Sequence, residues 1–120
     1  MQPINPRSLT FQTLHLLQEG QALWADPAVQ SRGWGARPLV NDSRLTMRLL
    51  ALKAGAEIPE HAAPGSISVH VLTGRISFTA GGQPTEAGPG DAVTVPQEVR
   101  HARSGLEDSL VLVTVGAPNP

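Results

Sequence analysis

The feature that most constrains this chain is the rhythm of its second two-thirds. From Arg37 onward, short runs rich in Leu, Val, Ile and Thr alternate with Gly, Pro and Asp punctuation at intervals of about ten residues, the signature of strands joined by tight turns. The runs are RLTMRLLAL (44–52), SISVHVL (66–72), RISFT (75–79), DAVTV (91–95), RHAR (100–103) and SLVLVTV (109–115). In the last run Val111, Val113 and Val115 alternate with Leu110, Leu112 and Thr114. Both faces of that strand are largely apolar, which predicts burial on both sides. TAGGQP (79–84) predicts a hairpin turn, because two adjacent glycines supply the positive φ such turns need.

The remainder of the chain bounds the alternatives. With 120 residues, one hydrophobic core is expected and a second domain is not. A net charge of −1 gives no electrostatic excess for nucleic acid or an anionic membrane. Without cysteine, disulfides, thiolate metal sites and a cysteine nucleophile are excluded, so a transition metal would have to rely on His and carboxylate. No apolar run approaches the roughly 20 residues of a membrane span. The opening MQPINPRSLTFQ has neither a basic start nor an apolar core of signal-peptide length, so the expected location is cytoplasmic.

Residues 1–36 read differently, as a segment packing outside the β region. SLTFQTLHLLQEG has helical potential, with Ser8 as N-cap, Leu14 and Leu17 on one face and Gly20 as a stop. The alternation of Phe11, Thr13, His15 and Leu17 also suits a strand. DPAV (26–29) predicts a second helical start, with Asp26 capping and Pro27 in the first helical position. Residues 37–116 form the expected β domain, and 117–120 a tail.

Two spaced clusters carry more information. Gly55 is followed after five residues by His61, and Gly74 closes that segment; Gly90 is followed after five residues by Pro96, and His101 comes five positions later. This pattern resembles the two signature motifs of the cupin superfamily, with the short spacing of 15 residues between them seen in small bacterial members. The resemblance covers about residues 40–116. It implies an all-β fold: a single double-stranded β-helix, or jelly-roll-like, barrel of two antiparallel sheets, and pairing into a homodimer. The glycines have a physical reason to be there, since tight reversals between strands disfavour a β-carbon.

At the ligand positions the chain departs from the pattern. His61 and His101 match, but Ala63 stands for the second histidine and Ile67 for the glutamate, while Glu98 replaces a glycine and Gly105 an asparagine. The resemblance places Ile67 toward the barrel interior. Strand parity then sends Val69 and Val71 to the same side, and Ser66, Ser68 and His70 to the other. The expected ligand pocket is therefore Ala63, Ile67, Val69 and Val71 with His61 and His101. His70 is expected to face outward or toward a partner subunit, and His15 to be solvated or at an interface. Arg103 shares the face of His101 and is a candidate anion clamp for a carboxylate, with a surface salt bridge as the plainer alternative. Glu57, Glu60 and Glu98 lie nearby in sequence, but their positions relative to the pocket cannot be read from it.

Two readings of His61 and His101 stay open. They are either polar remnants on a barrel wall or ligands of a weakly held divalent metal (Zn, Fe, Ni or Mn), since stable sites ordinarily need at least three protein ligands. No Gly-rich phosphate loop, nucleophile elbow or His-Glu-x-x-His helix is present, and no Asp is placed to make a triad with Ser66 or Ser68. Three functional classes follow: a small-molecule-binding or sensing domain, a metal-dependent enzyme of dioxygenase, isomerase or decarboxylase type acting on a small organic acid or sugar-like substrate, and an interaction module with no ligand. The loss of two ligand positions favours the first.

Overall fold

The computed structural model of the chain describes residues 11–118. Within them two short helices precede nine strands: α1 (Leu16–Trp24), α2 (Pro27–Arg32), β1 (Trp34–Asn41), β2 (Leu45–Leu52), β3 (Glu57–Ala62), β4 (Ile67–Thr73), β5 (Ile76–Ala80), β6 (Gln83–Ala87), β7 (Ala92–Val95), β8 (Arg100–Gly105) and β9 (Ser109–Gly116). The strands form two antiparallel sheets, one ordered β1-β2-β9-β4-β7 and the other β3-β8-β5-β6. Each crossover between sheets brings sequence-distant strands together, as a jelly-roll barrel requires.

Alternation decides what each strand buries. On β4, Ile67, Val69 and Val71 are buried while Ser68, His70 and Leu72 are only partly so. The inward set joins Leu50, Leu52, Ile76, Phe78, Val95, Val111 and Val113 in one core between the sheets. β9 lies at the centre of its sheet, between β2 and β4. Its outward residues Leu110 and Leu112 are covered by the helices in a second cluster with Leu23, Val29, Leu49 and Ala51, so the expectation of a strand buried on both faces holds. Full burial of a side chain such as Val29 contributes roughly 1.5–3 kcal/mol to holding its helix against the sheet.

The helices differ in part from expectation. Ser8 lies outside the described residues. Asp26 caps α2 as expected, accepting from the Ala28 amide at 2.8 Å, with Pro27 in the first turn. Gly20, however, sits inside α1 rather than ending it. A β-carbon there would come within 2.3 Å of the Leu110 side chain; the glycine allows close approach of helix and sheet, and that packing outweighs its low helix propensity of about 1 kcal/mol. The first strand also begins at Trp34, three residues before the predicted start of the barrel.

Three strands, β1, β3 and β6, were not among the predicted runs. Each contains a proline (Pro38, Pro59 and Pro84), and each forms one edge of its sheet. Proline has no N–H for a ladder, so it is confined to edges and bulges; the register indeed shifts between Pro38 and Val40 and between Ile58 and His61. The Gly81-Gly82 hairpin forms as predicted, with φ of 58° and 77°.

Candidate functional site: a cationic cavity at the barrel mouth

The site is assembled from neighbouring strands. Bulged β3 pairs with β8 so that His61 and His101 stand directly opposite each other. Their rings meet edge to face, with centroids 4.4 Å apart, and His101 also stacks on Phe78 with centroids 5.5 Å apart. In each histidine Nδ1 lies against a backbone carbonyl two residues upstream, Pro59 at 2.9 Å and Val99 at 3.0 Å. A carbonyl only accepts, so Nδ1 carries the hydrogen in both rings and Nε2 is the nitrogen left for other partners. In His101, Nε2 is buried without a hydrogen-bond partner.

Two residues along β8, on the same face, comes Arg103. It is only 4% exposed, and its Nε and Nη1 are buried without an acceptor. The alternative of a surface salt bridge is thereby corrected. The ion pairs among the described residues join Arg37 to Glu19, Arg75 to Glu86 and Arg100 to Glu60, and Arg103 is in none of them. Burial, and secondarily the charge of Arg48 on β2, bring the Arg103 guanidinium down to about 10, which still leaves it a cation at neutral pH. Burial also lowers the His101 imidazole below its ordinary value; the Val99 carbonyl opposes this, while His61 and Arg103 add to it.

These groups line a cavity of about 300 Å³ whose other walls include Thr46, Arg48, Ala63, Ile67, Val113 and Val115. The register explains the apolar floor: Thr46, Val115 and Ile67 are successive partners across the large sheet, and Arg48, Val113 and Val69 form the next row. Of the predicted pocket residues, the structure brings Ala63, Ile67 and Arg103 together with both histidines. Val69 and Val71 face the same interior but lie fully buried in the core below. Sequence reasoning missed Thr46 and Arg48. Alternation with Leu50 and Leu52 on RLTMRLLAL was the signal that could have found them.

The remaining sequence-predicted residues lie elsewhere. His70 pairs with Leu112 and Ala92 on the outward side of β4, and His15 is exposed ahead of α1. Glu60 bonds Arg100 at 2.7 Å on the surface, and Glu57 and Glu98 are exposed. None of the three carboxylates lines the cavity. The substitutions in the turns also have local readings. Glu98 holds φ of 69°, in the left-handed region that favours glycine. At Gly105 a β-carbon would meet the Lys53 carbonyl oxygen at 2.4 Å.

The donor set bears directly on metal binding. Among the described residues no group of three or more His, Asp or Glu side chains converges as a metal site. Two imidazole nitrogens flanked by two guanidinium cations, with no carboxylate, do not fit a resident divalent ion, which needs more ligands and negative charge.

A two-sheet barrel with paired histidines at its mouth, bounded by left-handed glycines at positions 55, 74 and 90, defines a cupin-type β-barrel. A Cupin domain family model matches residues 48–115, more than half of the chain, and the chain belongs to the cupin superfamily. Among solved structures it is similar to an RmlC-like cupin protein from Desulfovibrio desulfuricans (TM-score 0.75, 23% identity, 91% of this chain and 99% of that one). It is also similar to a conserved protein of unknown function from Streptococcus pyogenes (TM-score 0.69, 26% identity, 75% and 79% covered). A third likeness is to a salicylate 1,2-dioxygenase from Pseudoaminobacter salicylatoxidans (TM-score 0.77, 18% identity), of which 94% of this chain matches 39% of that one. No curated protein matches the chain. At such identities the first and third likenesses speak for the fold alone, and one fold hosts many activities.

Proposed function

We propose that this chain is a small-molecule-binding domain whose ligand enters the barrel mouth and contacts His61, His101, Arg103, Ala63 and Ile67. One observation carries the reading: three buried polar atoms, His101 Nε2 and Arg103 Nε and Nη1, find no partner within the protein and belong to residues lining the same cavity. Buried polar groups in folded proteins are almost always paired, and unspent groups gathered at one concave site mark a place where a bound molecule completes the set. Fragment screening by protein-observed NMR tests this. Hits are expected to shift amides of β3, β4 and β8 around the cavity, and Ala63→Trp, which fills it, is expected to abolish those shifts. Hits scattered over the surface would overturn the reading.

The metal-dependent alternative has one observation in its favour, the cross-strand histidines with both Nε2 atoms uncommitted. Positions 63 and 67 line the same cavity as His61 and His101, so Ala63→His with Ile67→Glu should complete a four-ligand site. Cobalt affinity is expected to rise by more than the ~100-fold that outer-shell partners are worth, with a lower melting temperature in the absence of metal because a carboxylate enters an apolar wall. A wild-type cobalt complex as tight as that of the double variant would instead favour the enzyme reading.

A further inference from the structure

The charges around the cavity are all of one sign. Its lining contains Arg48, Arg103, His61 and His101 and no Asp or Glu. A buried guanidinium is ordinarily held by a carboxylate, because desolvating an unpaired cation is costly. Here Arg103 is almost wholly enclosed, two of its nitrogens have no acceptor, and the charge of Arg48 repels it. Arg48, by contrast, is exposed, so it stands where an entering anion would first meet positive charge. Opposite these groups the walls turn apolar, with Ala63, Ile67, Val113 and Val115.

We infer that the ligand class is a compact organic anion, a carboxylate joined to an apolar body. The carboxylate is held by Arg103 and drawn in by Arg48, and the body rests on Ile67, Val113 and Val115. Guanidinium recognises carboxylate through charge-assisted hydrogen bonds, the strong class of such bonds. The roughly 300 Å³ of space is at the small end of ligand sites. The same charges disfavour a cation at the site, and a fully polar anion would leave the apolar wall unused. This inference rests on the reading of the cavity as a ligand site, and it adds the chemistry of what fills it.

The test compares isosteric pairs on the full-length protein: benzoate against benzamide and hexanoate against hexanamide, with inorganic phosphate as a purely polar anion, all by NMR titration of backbone amides. The carboxylates are expected to bind at the cavity about tenfold or more tightly than their amides, the ratio that one charge-assisted bond supplies. Arg103→Met is expected to erase that preference, and Arg103→Lys to keep part of it, each variant's own dispersed spectrum reporting its fold. Arg48→Gln should weaken carboxylate binding several-fold and flatten its salt dependence. If the amides bind at the cavity as tightly as the acids, the anion inference falls while the ligand site stands. Phosphate binding as tightly as the carboxylates would overturn the apolar half of the inference. If no probe perturbs the cavity, and neutral and cationic fragments also leave it untouched, both readings fall together.

Discussion

The same strands build two different interiors. Low in the barrel, Val69, Val71, Ile76, Phe78 and Val111 are at most 1% exposed and wholly apolar. A step of two residues along β2 leads from Leu50 to Arg48, and a step along β4 leads from Val69 to Ile67 at the cavity wall. On β8 the inward positions are His101 and Arg103, pressed against Phe78 and Ile58 by the pairing of the small sheet. The contrast teaches that the facing surfaces of the two sheets carry both a deep, sealed half and a shallow half that borders the cavity. The deep half buries apolar surface and holds the fold; the shallow half carries polar groups that cost stability and are retained where a ligand can meet them.

That contrast can be broken or sharpened by substitution. The largest effect belongs to the deep half: Phe78→Ala should destabilise by about 3–5 kcal/mol, seen as a lower urea midpoint, and should also loosen His101 by removing its stacking partner. A loss below about 1 kcal/mol would mean the core collapses around the void and the deep half is less rigid than its burial suggests.

In the shallow half the sign should reverse. Arg103→Met removes a buried charge that lacks a partner, and a similar volume of apolar side chain takes its place. Unfolding free energy should rise by about 1–3 kcal/mol, with a higher melting temperature. Destabilisation by that substitution would show that the guanidinium is paid for by contacts inside the protein, and the division by depth would fail.

A smaller gain is expected at the turn before β8. Glu98 holds a left-handed backbone that costs a residue with a β-carbon about 1–2 kcal/mol, part of which the extra chain freedom of glycine in the unfolded state offsets. Glu98→Gly should therefore raise the denaturation midpoint slightly and leave ligand binding unchanged. A decrease would mean that the Glu98 side chain makes a stabilising contact.

The last prediction concerns pH. His101 is held below its ordinary value by burial, so the unfolded chain takes up its proton first as pH falls. The contribution to stability is complete above the unfolded value of about 6.5 and is lost as pH drops from there toward the lowered folded value. Melting temperatures should decline across that window, and His101→Phe, which keeps a ring against Phe78, should reduce the decline. An unchanged slope in the variant would assign the acid sensitivity to other groups.

Much of the barrel was legible in the chain. Runs such as SISVHVL and SLVLVTV gave away β4 and β9 because central strands must be apolar on an inward face and cannot tolerate proline. The edge strands β1, β3 and β6 were hidden for the opposite reason. Each has one unpaired side, so Pro38, Pro59 and Pro84 are admissible there, and a proline-bearing polar stretch such as EIPEHA looks like a turn. The cost fell on the site itself, since His61 rides on one of those edges and its bulge sets the His61–His101 pairing.

What the sequence determined by itself was the rhythm of strands, the barrel that its resemblance to the cupin motifs implies, and the shared face of His101 and Arg103. Strand period and the spacing of Gly55, Gly74 and Gly90 are local properties, imposed by backbone geometry on any chain with those residues. It could also place Ile67, Val69 and Val71 on one side of β4 by parity. Only the tertiary structure decided which of them border space and which are sealed, because that depends on how deep in the barrel the opposite sheet closes over them. It alone set Arg103 within reach of the charge of Arg48 and outside the ion pairs of the described residues. A charge alternates to one face by local geometry, but whether it meets an opposite charge depends on what a distant strand presents across the barrel.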